Sequence, residues 1–370
     1  MAARVAVLHS ILHWGSTEWY LRDLFERVDP DEFELWLVCP DDPVLEPLRA
    51  VEAIRGRVLA LPTAAYGDAR HAIAAERRAL RTVRPDLVHV SDVDPAALLA
   101  SRLAGTRRVL VTYHTPEHRP GFNVAGRLLR RLGWATKPHV VFTSEPDRET
   151  ALARDPIARE RTSVIPFGLH LERFTPGTED RLRPELGLDG DSRIVGTVGL
   201  LRRQKGHEVL VRAAELVLRE EPETVFVVVG GGELRDELEA LARAAGLGRR
   251  FLLLGGRDDV PGLLAGFDVF ALSSHFEGMC FAVAEALAME KPVVATAVGG
   301  VRQSVVDGET GLLVPPGDPS ALAEKLVWAL RHPDEARRLG VAGRKRVTEL
   351  YGLDRMVAET SELYRRLLRS

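Results

Sequence analysis

Residues 193–232 read RIVGTVGLLRRQKGHEVLVRAAELVLREEPETVFVVVGGG. An apolar run of strand length stops at Gly199, a basic turn follows, a helical stretch comes next, and a second apolar run stops on glycines 230–232. Strand, helix and strand in that order build a parallel pair, because parallel neighbours need a crossover of a dozen residues or more. The same alternation continues on both sides. Strand candidates are 5–12, 34–39, 87–91, 109–114 and 140–144 before it, and 194–198, 224–229, 251–254, 269–272 and 292–296 from it onward. Short apolar runs alternating with amphipathic helices mark the α/β class, with parallel sheets covered by helices.

At 370 residues the chain exceeds one ordinary core, so two domains are expected. Pro and Gly interrupt the alternation over 166–184. The expected division is a first Rossmann-like domain at 1–170, a linker at 171–190 and a second Rossmann-like domain at 191–350. An amphipathic helix at 351–370 follows and is expected to pack back across the junction.

The composition excludes several classes. Hydrophobic residues at 45% and charged residues at 28% are those of a globular protein, and a net charge of -3 does not steer nucleic acid. Cys39 and Cys280 are far apart without metal-ligand spacing, which argues against a disulfide framework or zinc and for a reducing, cytoplasmic setting. The apolar start is too short to span a bilayer and reads as a buried strand.

The segment most informative about chemistry is HFEGMCFAVAEALAMEKPVVAT, residues 275–296. Glu285 lies inside an apolar helical run, where a carboxylate needs a partner, and a ribose diol would supply one. Gly278 is expected to open that helix, so the amides of Met279, Cys280 and Phe281 would point toward phosphate or sugar oxygens, with Glu277 facing the sugar. In the turn after Gly199, Lys205 and Arg202 are the cations that could stabilise a departing nucleoside diphosphate. Four strands close on glycine, at Gly199, Gly232, Gly256 and Gly300, and these glycines are expected to outline the site by letting backbone approach the ligand.

VGLLRRQKG, then VVVGGGE, then Glu277 and Glu285 as an E-x7-E pair, then GGVRQSVVDGETGLLVPPGD, together resemble glycosyltransferase family 4. WGSTEWYL, VTYHT and VIPFGLHLERFTP extend the likeness over nearly the whole chain. The resemblance implies the GT-B fold, two Rossmann-like domains facing each other across a cleft, and metal-independent, front-face transfer from a nucleotide diphosphate sugar with retained anomeric configuration. It implies that Glu277 contacts sugar hydroxyls, Glu285 the ribose and Lys205 the pyrophosphate, that His114 stands at the cleft, and that Gly15 and Ser16 form the first glycine-rich turn. Leu200 stands where the family usually has Arg, Ser16 where it has a second Gly, and Gln303 where it often has Glu. Arg202 is expected to take over from the missing arginine.

Asp92 and Asp94 imitate a metal-binding pair, but Asp94 ahead of Pro95 reads as a helix cap, so no metal or other cofactor is expected. His13 and Trp14 are acceptor candidates, and the leucines and arginines of 122–134 are patterned as for peripheral membrane contact. The acceptor itself, whether small molecule, glycan or lipid, is not readable. A nucleotide-sugar epimerase of the same fold and a non-catalytic nucleotide-sugar-binding homologue are the competing readings.

Overall fold

The apolar runs become two wholly parallel sheets. A computed structural model describes residues 2–10, 16–113, 124–188 and 192–370 of the chain. Two compact units emerge, one of Met1–Gly168 with Leu353–Ser370, the other of Leu169–Gly352.

The first unit has seven strands: β1 (Ala3–Leu8), β2 (Phe33–Pro40), β3 (Val58–Leu61), β4 (Leu87–Val90), β5 (Val109–Tyr113), β6 (His139–Phe142) and β7 (Thr162–Val164). They lie in the order β3-β2-β1-β4-β5-β6-β7, so the direction of winding reverses between β1 and β4. Such a switch point, at the carboxyl ends of the strands, is where open α/β sheets bind ligands. Ala6, Leu8, Val88, Val90, Val111 and Phe142 face Leu80, Val83 and Leu98 of the covering helices Ala69–Val83 and Pro95–Ala104. The helix Pro95–Ala104 starts where expected, because the Asp94 carboxylate accepts the amides of Ala96 at 2.8 Å and Ala97 at 3.3 Å.

The helix Leu353–Arg369 closes this first unit, burying Leu353, Met356, Leu363 and Tyr364. Tyr364 Oη lies 2.7 Å from Nδ1 of His89, a fully buried histidine of β4, and His89 Nε2 lies 2.7 Å from Thr112 Oγ1. A buried imidazole is tolerable here because both ring nitrogens are partnered. Arg365 adds a forked pair to Glu32 at 2.5 and 2.8 Å.

The second unit has six strands: β8 (Arg193–Val198), β9 (Thr224–Val229), β10 (Phe251–Gly255), β11 (Val269–Leu272), β12 (Val293–Thr296) and β13 (Leu312–Val314). Their order is β10-β9-β8-β11-β12-β13, with the switch point between β8 and β11. All six residues of β9 are buried, as the inner strands of a sheet covered on both faces must be. The proline-rich stretch after Gly168 packs into this unit: Phe174 and Leu182 are buried, and the Arg181 amide donates to Gly262 O at 3.1 Å. Leu169 N donates to Tyr351 O at 2.9 Å and Leu169 forms a bridge with Gly352, so the first and last residues of the unit are neighbours.

Candidate active site

The carboxyl end of the second sheet is assembled from three loops that grip one another. After β8 the chain turns through Arg203–Lys205 into the helix His207–Glu220, and Gly206 in this turn has φ 58°. A side chain at Gly206 would come within 2.2 Å of Ser273 O, so only glycine lets this loop reach the one after β11. The contact is then fixed by Ser273 Oγ donating to Lys205 O at 3.1 Å and His275 N to Gln204 O at 2.8 Å. The loop after β12 closes on the other side, with Thr296 Oγ1 donating to Ser274 O at 2.7 Å and Gly300 N to Gly278 O at 3.1 Å.

This scaffold delivers one carboxylate to several donors. Glu277, buried, accepts from Lys205 Nζ at 2.7 Å and from Ser274 Oγ at 2.6 Å on the same oxygen, and from Gln204 Nε2 at 3.4 Å on the other. Burial works against the Lys205 ammonium, yet Cys280 and Glu277 beside it outweigh that and raise its pKa above the ordinary value. Burial also pushes the Cys280 thiol up to about 12, with Glu277 adding to it, so at neutral pH the thiol is uncharged and the carboxylate is the partner that holds the ammonium. Glu285 belongs to the helix Phe281–Ala288; burial pushes its carboxyl up to about 7, opposed by Arg173. Cys280 lies close enough to Glu277, Lys205 and Glu285 to feel all three.

One expectation is corrected here. Gly278 does not open the helix: it begins at Phe281 with Cys280 as its extended cap residue, and Gly278 lies in the loop that Gly300 grips. The strand-end glycines are required for contact between loops. A side chain at Gly230, φ 155°, would meet Gly199 O at 1.9 Å, one at Gly232 would meet Leu201 O at 2.5 Å, and one at Gly300 would meet Gly278 O at 2.7 Å. These glycines let loops lie backbone against backbone. Gly256 alone of the four strand-closing positions has open space within 4 Å, while Gly199 meets the Lys205 stem at 3.6 Å.

Arg202 is half exposed and 3.9 Å from Glu233, a loose surface pair. Leu200 points into solvent at 49% exposure. His13, Trp14, Gly15 and His114 lie outside the described residues, as does the side chain of Ser16, whose residue begins the helix Ser16–Arg27.

Sequence reasoning passed over two sets of residues. Gln204 and Ser274 flank Lys205 and Glu277 but look like ordinary loop polar residues; only Ser274 lying three positions before Glu277 hints at its bond. At the switch point of the first sheet, fully buried His9 sits 3.0 Å by Nε2 from Glu18 Oε1 and 2.8 Å by Nδ1 from Ser91 Oγ. A histidine ending the run VAVLH was the available signal for it.

A family model of the glycosyl transferases group 1 matches residues 178–346, and one of Glycosyltransferase Family 4 matches residues 17–173. The GDP-mannose-dependent alpha-(1-6)-phosphatidylinositol monomannoside mannosyltransferase of Mycolicibacterium smegmatis is 33% identical over 267 residues, 68% of each chain. The chain belongs to glycosyltransferase family 4. This family 4 glycosyltransferase is also similar to the UDP-Gal:alpha-D-GlcNAc-diphosphoundecaprenol alpha-1,3-galactosyltransferase of Escherichia coli, 28% identical over 316 residues, covering 82% of this chain and 81% of that one. Its fold matches Anabaena HepE solved with UDP, with a TM-score of 0.83 at 22% identity over 98% of this chain and 100% of that one. The transferase therefore has the two-domain GT-B fold and moves sugar from a nucleotide sugar. Among the described residues, no helix of the transferase is long and apolar enough to cross a membrane.

Proposed function

We propose that the transferase keeps the donor's anomeric configuration and works without a divalent metal. The observation that carries this reading is the 2.7 Å pair of Lys205 and Glu277 at the switch point of the second sheet. It sets an ammonium for the pyrophosphate beside a carboxylate for the sugar hydroxyls. The leaving diphosphate gains negative charge, which a preorganised cation stabilises more in the transition state than in the ground state. Lys205 supplies that charge, helped by Arg202 and the backbone of 278–281, while Glu285 accepts the ribose diol. Of the acidic pair that imitates a metal site, Asp94 caps a helix and Asp92 Oδ1 accepts the Val93 amide at 2.7 Å, which supports this reading.

The first unit carries the acceptor, with His13 and Trp14 as its contacts and His114, Gly15 and Ser16 reaching the sugar phosphate. The acceptor is a hydroxyl on a phosphorylated or lipid-linked polyol, the chemistry in the names of the E. coli and mycobacterial relatives. A cytoplasmic setting with peripheral membrane contact suits such an acceptor.

The test incubates protein stripped with EDTA with a panel of UDP and GDP sugars and follows the released sugar by nuclear magnetic resonance. The expected result is turnover of one donor in excess EDTA, with the first-formed sugar in the donor's own anomeric form. Inverted sugar would refute retention, and turnover restored only by magnesium or manganese would refute metal independence.

A further inference from the structure

The opposite edge of the first sheet, where its strands begin, carries an open hollow of about 630 Å³. The residues just ahead of β4, β5, β6 and β7 line it: Asp86, Arg107, Arg108, Lys137 and Arg161, with His139 at its floor. Strands of four and five residues rising ~3.3 Å per residue put this hollow roughly 15 Å from the carboxyl edge of the same sheet.

Its charge is lopsided. Arg107, Arg108, Lys137 and Arg161 are cations, and Arg366 adds a fifth, its Nη2 donating at 3.0 Å to Ser163 Oγ, which lies 2.9 Å from His139 Nε2. Asp86 is the one acidic side chain among the described lining residues, and its carboxylate already accepts the Arg4 amide at 2.9 Å. Several arginines elsewhere are matched by acids, as Arg130 is by Asp155, Arg257 by Glu185 and Asp259, and Arg365 by Glu32. Here none of the five cations has a carboxylate within ion-pair distance among the described residues, and Arg108 Nε is buried without a partner among them. Arg161 Nη1 is held by Lys137 O at 2.8 Å, which keeps its fork over the hollow. His139 reports the local field: burial, then Arg366 and Arg161, push its imidazole down to about 4.

A chain of net charge -3 has no general basicity to explain such a cluster. Converging like charges repel unless an anion neutralises them, and planar guanidinium forks match the oxygens of a phosphate group. We propose that this hollow binds a phosphate-bearing anion, either a free phosphate or diphosphate or the headgroup of an anionic phospholipid, at a site separate from the sugar-transfer chemistry. Arg108 and Arg161 grip the phosphate from the two sides, and Arg107 and Lys137 complete its neutralisation at the rim. The site stands independently of the donor assignment, since none of its residues belongs to the second unit.

The test titrates the 370-residue chain with inorganic pyrophosphate at constant ionic strength and follows the His139 imidazole signals, identified with His139→Gln. A parallel sedimentation experiment uses phosphatidylcholine vesicles with and without phosphatidylglycerol. Two variants are compared, Arg108→Gln with Arg161→Gln, and the rim pair Arg107→Gln with Lys137→Gln, each checked for an unchanged melting profile. Loss of charge-assisted hydrogen bonds should weaken binding by about tenfold or more. A saturable His139 shift weakened in the variants supports the site with a soluble phosphate as ligand. Sedimentation that depends on phosphatidylglycerol and is weakened in the variants supports it with a headgroup. No saturable shift together with no such sedimentation, or a response equalled by sodium chloride or kept in both folded variants, overturns the proposal.

Discussion

Lys205 and Glu277 hold each other at 2.7 Å, so neither can be removed without changing what the other does. Lys205→Ala leaves a buried carboxylate with Ser274 and Gln204 alone, and Glu277→Ala frees a partly buried ammonium. Each single change should lower kcat/KM by about a hundredfold or more, the size expected for one preorganised electrostatic group. The double variant should lose much less than the product of the two, because contacting residues are not additive; a multiplicative loss in steady-state kinetics would show that the pair does not act as a unit. Glu285 offers a second handle. Its folded pKa of about 7 lies above the ordinary 4.5, so its contribution to folding is full below about pH 4.5 and is lost as pH rises through about 7. If the ribose diol needs the ionised carboxylate as acceptor, nucleotide binding must expel that proton. Affinity by calorimetry should therefore tighten by up to about tenfold per unit as pH rises toward 7 and then level off. Glu285→Gln should flatten that profile, and a wild-type profile already flat below pH 7 would remove Glu285 from the ribose.

The strand-end loops depend on glycine for a reason that substitution can separate from ligand binding. Gly230→Ala forces a side chain against Gly199 O, 1.9 Å away, at φ 155°, and should destabilise the second unit by roughly 2–4 kcal/mol or prevent its folding. Gly256→Ala meets nothing within 4 Å and should stay within about 0.5 kcal/mol of the parent in a denaturant melt. Equal losses for the two would contradict the backbone-contact account. The same glycines show where sequence reading reaches and stops. VVVGGG marks positions that need glycine, but what approaches them is the loop 199–201, about 30 residues earlier in the chain, which no local pattern reports. The strands β8, β9 and β11 were legible because mostly buried, continuous apolar runs have no other economical fate. β7 as TSV and β13 as LLV were not, since three residues carry no periodicity. Of the candidate site, Lys205, Glu277 and Glu285 could be named from motifs, whereas Ser274 and Gln204 owe their place to loops brought together by Gly206.

On the scale of the whole chain, the first unit is discontinuous and is completed by Leu353–Ser370. Tyr364→Phe removes the 2.7 Å bond to buried His89 and should weaken the first unit by about 1–3 kcal/mol while leaving the second at its parental melting point. A calorimetric scan in which both transitions shift together would mean the units do not unfold separately. The arrangement also reverses an ordinary expectation about synthesis, in which an N-terminal domain folds first as it leaves the ribosome. Here the seven-strand sheet emerges early but must wait, with the pocket for Tyr364 beside His89 open, until all of Leu169–Gly352 has been translated. The unit made second needs no residue from outside 169–352, whereas a released chain lacking 353–370 would hold the first unit incomplete, the form that chaperones should recognise.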